Sequence, residues 1–127
     1  MDTDKKTALV VDDSALTRKF IIDFLKPLDM EILQTSNGKD AISFLLAKKI
    51  DVLLLDVLMP DVTGWEVLEF INKKAISVPT IIISADVQDS TKKKCFELGA
   101  FAVTHKPPKE AELQEAVKKA LGLGDKE

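Results

Sequence analysis

Val52-Leu53-Leu54-Leu55-Asp56 decides the fold. Four apolar residues stand on consecutive positions rather than alternate ones, which is how a strand reads when both of its faces are buried, as in a parallel sheet. The runs around Val10 (Ala8-Leu9-Val10-Val11) and Ile82 (Thr80-Ile81-Ile82-Ile83) have the same character. Shorter runs at Ile32-Leu33 and Phe101-Ala102-Val103 bring the number of predicted strands to five.

Segments of helical period lie between them. Leu16, Phe20, Phe24 and Leu28 recur every fourth residue, with Ile21 and Leu25 widening the stripe. Ser14 is placed to cap this helix, and Pro27 ends it near Lys26. Asn37 caps a second helix that buries Ala41, Ile42, Leu45 and Leu46; a third starts near Gly64 and buries Val67, Leu68 and Ile71. The fourth runs from about Ser90 to Leu98 and stops at Gly99. The fifth follows Pro107-Pro108 and packs Leu113, Ala116, Val117, Ala120 and Leu121. Strand and helix thus alternate, and right-handed crossovers give a doubly wound α/β sheet covered on both faces.

Composition narrows the function. The 127 residues suit one domain, 1–127, with a core over about 6–122. A net charge of −3 argues against direct nucleic-acid binding, and no apolar run approaches the length of a membrane span. The polar start, Met1-Asp2-Thr3-Asp4-Lys5-Lys6, does not read as a signal peptide. Cys95, the single cysteine, makes no internal disulfide and supports no structural zinc site. A reducing cytoplasm is the expected setting. After Leu121 only six residues remain, so no output domain is expected.

In open α/β sheets the chemistry sits at the carboxyl ends of the strands. The first strand ends in Asp12-Asp13, the third in Asp56, the fourth in Ser84, and the fifth reaches Lys106. Taken singly, each reads as an ordinary polar strand end. Together they bring three carboxylates, a hydroxyl and an amine to one sheet edge. Carboxylates so close repel one another, and a hard divalent cation such as Mg2+ relieves that repulsion through oxygen ligands. The metal also shields an incoming phosphate, while Ser84 and Lys106 offer donors for its oxygens.

The segments Val10-Val11-Asp12-Asp13-Ser14, Leu54-Leu55-Asp56-Val57-Leu58-Met59-Pro60, Gly64, Ser84-Ala85, Gly99-Ala100 and Lys106-Pro107 resemble those of a response-regulator receiver domain of two-component signalling. The resemblance spans nearly the whole chain, in the family's order and spacing. It implies a flavodoxin-like (βα)5 fold with a five-stranded parallel sheet in the order 2-1-3-4-5. By the same resemblance, Asp56 matches the phosphoacceptor, and Asp12, Asp13 and the Leu58 backbone carbonyl match ligands that hold Mg2+ with it. Ser84 matches the mobile hydroxyl, Ala85 the small residue that leaves room for phosphate, and Lys106 the amine that pairs with phosphoryl oxygens. A cis bond before Pro107 is expected too. The implied partners are a sensor histidine kinase or phosphotransfer protein and a downstream effector. The protein would be a monomer or a phosphorylation-dependent dimer. It would be no enzyme beyond its own phosphorylation and slow dephosphorylation.

One position departs from the family pattern. Receivers usually carry Tyr or Phe three residues before the lysine, where this chain has Val103. Valine has no ring to swing and a stiff χ1, so a weaker or differently routed rearrangement of the fourth helix, fifth strand and fifth helix is expected. Leu58 and Asp86 are expected to flank the path of the hydrolytic water. A haloacid-dehalogenase-like phosphatase needs a second acid where Leu58 stands, and a flavodoxin needs a phosphate-cradling loop where Asp12-Asp13 stand. A degenerate receiver that only mediates contacts would not need the whole acidic cluster, Ser84 and Lys106. His105 reads as a half-exposed strand end, Cys95 as core, and Lys92-Lys93-Lys94 as a solvated face open to an acidic partner. Trp65 reads as packing, with some exposure.

Overall fold

The structure, a computed structural model, describes residues 5–59, 62–85 and 87–122. Pro60 and Asp86, both singled out above, lie outside the described residues, as do residues 1–4 and 123–127. Five strands, β1 (Thr7–Val11), β2 (Glu31–Thr35), β3 (Val52–Leu55), β4 (Thr80–Ser84) and β5 (Ala102–His105), alternate with five helices. These are α1 (Ala15–Leu25), α2 (Gly38–Ala47), α3 (Gly64–Lys73), α4 (Asp89–Glu97) and α5 (Glu110–Ala120). All strand pairings are parallel, in the order β2-β1-β3-β4-β5. The doubly wound sheet and its strand order are therefore as expected.

The consecutive apolar runs occupy the three central strands, and both of their faces are covered. Leu9, Val11, Leu53, Leu55 and Ile82 face a core shared with Ala41, Leu45, Val67, Leu68, Ile71 and Cys95 from α2, α3 and α4. Ala8, Val10, Val52, Leu54, Ile81 and Ile83 face the other core, with Ile21, Leu25, Leu113 and Val117 from α1 and α5. Cys95 is core, as read.

The helix ends follow their caps. The Ser14 hydroxyl accepts from the Thr17 amide, the Asn37 side chain from Asp40, and Thr63 forms a reciprocal capping box with Glu66. Pro27 lies in a short 3-10 turn (Lys26–Leu28) that closes α1. Gly99 follows α4 with φ 98°, a conformation glycine adopts without strain.

Two helix faces differ from the expectation. On α1 the sheet takes Ile21 and Leu25, leaving Leu16 62% and Phe20 41% exposed. The first half of the four-residue repeat thus lies on the outer flank, while Phe24 and Leu28 are partly buried against the core and Phe24 stacks with Phe20, centroids 6.4 Å apart. On α2, Ala41 and Leu45 are buried, Ile42 is partly buried, and Leu46 points outward at 66% exposure. A helix lying on a sheet buries only one stripe, and Leu46 falls beyond it. Phe101 precedes β5 rather than belonging to it and is also exposed. No helix among the described residues is long and apolar enough to cross a membrane.

Candidate functional site

The carboxyl edge of the sheet gathers the residues that the strand ends pointed to. β1 delivers Asp12 and Asp13, and β3 delivers Asp56, whose amide donates to the Val11 carbonyl at 3.0 Å. β4 ends on buried Ser84, whose carbonyl accepts from the Lys106 amide at 3.0 Å and so fixes where β5 releases its lysine. The Lys106–Pro107 peptide is cis.

Lys106 joins the acids. Its Nζ lies 3.0 Å from Asp12 Oδ2 and 3.1 Å from Asp56 Oδ2, with Asp12 only 1% and Asp56 3% exposed. Asp56 Oδ1 accepts from the Leu58 amide at 3.0 Å, and Asp12 Oδ1 from the Ser14 amide at 2.9 Å. Burial pushes the Asp56 carboxyl above the ordinary carboxylate range and Asp12 adds repulsion; the Leu58 amide and Lys106 pull the other way without prevailing. Burial also works against the charge on Lys106, but its bonds to Asp12 and Asp56 outweigh this and hold its pKa above the usual lysine value. Desolvation thus outweighs pairing at the acid, and pairing outweighs desolvation at the amine.

The donor set fits a hard divalent cation. One oxygen each from Asp12, Asp13 and Asp56 falls within 4.8 Å of the others, and Asp13 is exposed at the mouth. Asp12 Oδ2 is buried and, though close to Lys106, has no hydrogen-bond partner. An all-oxygen set with an unsatisfied carboxylate oxygen suits Mg2+ rather than a thiophilic metal.

Leu58 is 54% exposed beside the cluster, and Ala85 is exposed next to Ser84. Val103 lies partly buried against the α2–α4 core. One contributor, Arg18, escaped the sequence reading. Arg18 Nη1 donates to the Asp12 carbonyl at 2.7 Å while its Nε holds Gln34 at 2.8 Å, steadying the end of β1. Its place one turn beyond Ser14 was the available signal. Gly64 sits against the loop after β3 so closely that a Cβ there would lie 2.2 Å from the Asp56 carbonyl oxygen.

The chain matches the family model for the response regulator receiver domain over residues 8–118. The chain belongs to that family. This receiver is 39% identical over 114 residues to a protein-glutamate methylesterase/protein-glutamine glutaminase of Clostridium acetobutylicum, covering 87% of this chain and 33% of that protein. It is 31% identical over 106 residues to the sensor histidine kinase RcsC of Escherichia coli, covering 84% of this chain and 11% of the kinase. The receiver therefore spans a third or less of these two relatives. Among solved structures, the signal receiver domain of a LuxO repressor protein from Vibrio parahaemolyticus superposes with TM-score 0.89 at 27% identity, covering 93% of this chain and 91% of that one.

Proposed function

We propose that this receiver takes a phosphoryl group onto Asp56 and signals through the resulting change at its surface. The observation that carries the reading is Lys106, whose ammonium stands within 3.1 Å of two nearly buried carboxylates. A carboxylate that is costly to bury and a cation fixed beside it form a site arranged for an incoming anion.

In the proposed step an Asp56 oxygen bonds to phosphorus as the bond from phosphorus to the donor breaks. The leaving group departs with the electron pair: a histidine nitrogen of a sensor kinase, whose imidazole takes a proton from solvent, or the acetate of acetyl phosphate, which leaves as the anion. Asp12, Asp13, Asp56 and the Leu58 carbonyl would hold Mg2+, which supplies charge neutralisation for the phosphoryl oxygens. The Leu58 amide keeps Asp56 oriented. Lys106 donates to a phosphoryl oxygen, Ser84 turns its hydroxyl to another, and exposed Ala85 leaves them room. Slow return to the free acid follows when water attacks phosphorus past Leu58, the bond from phosphorus to the Asp56 oxygen breaks, and inorganic phosphate leaves. The protein is thus read as a phosphoacceptor that acts catalytically only on itself. It receives from a histidine kinase or phosphotransfer protein and passes the change to an effector protein.

The experiment is incubation with Mg2+ and acetyl phosphate, read by intact mass beside Asp56→Asn. Addition of one phosphoryl group that needs Mg2+ and is lost in the variant supports the reading. No adduct on the folded protein, together with failure to bind beryllofluoride, would favour a module that only mediates contacts.

A further inference from the structure

Val103 cannot serve as a swinging ring, yet β5 carries a ring two residues on. In the parallel register Ile82 pairs with Val103 and Ser84 with His105. Side chains alternate along a strand, so residues 103 and 105 share a face, and paired residues on adjacent strands stand side by side on the same face. Val103 uses that face to pack against the α2–α4 core. The His105 side chain therefore leaves the sheet beside that of Ser84, on strands about 4.8 Å apart. Its far end reaches another element: Nε2 lies 3.8 Å from Glu112 Oε1 on α5.

We infer that His105 is the positioning residue that relays movement of Ser84 to α5, in the role the aromatic ring plays where Val103 now stands. The inference rests on the phosphoacceptor reading of Asp56. A Ser84 hydroxyl that turns toward a phosphoryl group vacates space on its rung of the sheet. Val103, one rung back, has a single stiff rotor and cannot extend into that space. His105 has two rotors, lies on the same rung, and is half exposed, so it is free to follow. When it follows, Nε2 is drawn away from Glu112. β5 is also the edge of the sheet, and Thr104 Oγ1 beside His105 is buried without a hydrogen-bond partner, so no side-chain bond of Thr104 resists the shift. The altered surface is then centred on β5 and α5, and α4 contributes less than it does where an aromatic residue leads.

The test uses the full chain labelled with 15N, with Mg2+ and beryllofluoride as the acyl-phosphate mimic. Loading at Asp56 is followed separately by 19F resonances. Loaded wild type should show shifts in the His105 imidazole and in the amides of the first two turns of α5. His105→Ala should load equally well but lose most of the α5 shifts. Glu112→Ala, which cuts the relay at its other end, should lose them while the imidazole still responds. Equal α5 shifts in loaded wild type and loaded His105→Ala would overturn the inference and leave Asp56 chemistry standing. Failure of wild type to load would remove the Asp56 reading and this inference together.

Discussion

Gly64→Ala tests the tie between the fold and the loop after β3, the acceptor loop of the proposed reaction. A Cβ at this position would meet the Asp56 carbonyl oxygen at 2.2 Å and the Val57 Cα at 2.3 Å. Ordinary contact begins at 3.4 Å, so the start of α3 and the acceptor loop must separate by more than 1 Å. Both partners are backbone, so no side-chain rotation relieves the overlap. The separation also strains the Gly64 amide bond to the Val57 carbonyl, which is 3.2 Å long. Overpacking costs about 1–3 kcal/mol, and a lost backbone bond adds about 0.5–1.5 kcal/mol, giving a loss of roughly 2–4 kcal/mol. In a domain of this size that lowers the melting temperature by on the order of 10 °C. Gly99→Ala is the control: its Cβ meets nothing closer than Asn72 Oδ1 at 3.8 Å, and only its φ of 98° resists substitution. Urea unfolding of both variants measures stability, and acetyl-phosphate labelling at matched folded fraction measures chemistry. Gly64→Ala should be the less stable variant and should label more slowly. If it unfolds within about 1 kcal/mol of wild type and labels normally, the acceptor loop is not held by this contact.

Lys106→Met, in EDTA, leaves Asp12 and Asp56 buried without their cation and should cost about 2–4 kcal/mol in urea unfolding, with Mg2+ recovering part of the loss. Asp56→Asn should stabilise the metal-free protein at neutral pH, because burial holds the Asp56 carboxyl above its ordinary value and its ionisation therefore costs folding energy. The folded wild type binds the extra proton first, so its stability relative to the variant should rise as pH falls from the raised Asp56 value toward about 3.9, where an unperturbed aspartate titrates; paired thermal melts across that range check the sign. Thr63→Ala removes the acceptor for the Glu66 amide in the α3 capping box and should cost about 1 kcal/mol by thermal melting.

The fold was legible where one residue pattern admitted one placement. Val10, Leu54 and Ile82 head runs too short for helices and too uniformly apolar for a half-exposed sheet, and all three proved to be central strands. Legibility failed where a pattern left two orientations open. A repeat at every fourth residue slowly drifts around a helix, so Leu16 and Phe20 look like core in one dimension, while the sheet chooses Ile21 and Leu25. The candidate site was legible as a set of strand ends because parallel topology carries all of them to one edge. What could not be read was whether they touch. That Lys106 spans both Asp12 and Asp56, that Arg18 holds the Asp12 carbonyl, and that Gly64 lies against the Asp56 backbone all depend on how separate elements meet.

Among the described residues, the carboxylates of Asp12, Asp13 and Asp56 gather around the Lys106 ammonium, and two of these three acids are nearly buried. A site selected for stability alone would replace such acids with apolar side chains, since buried ion pairs rarely exceed well-packed hydrophobic residues in worth. Retaining them makes sense if a divalent cation supplies further positive charge and a phosphoryl group then satisfies the amine. On that reading the cost of burying Asp56 would couple the site to such ligands: whatever relieves it is bound the more tightly for doing so. The surroundings restrain both ends of the cluster: Arg18 holds the end of β1, while the Leu58 amide and the Gly64 contact hold the loop after β3.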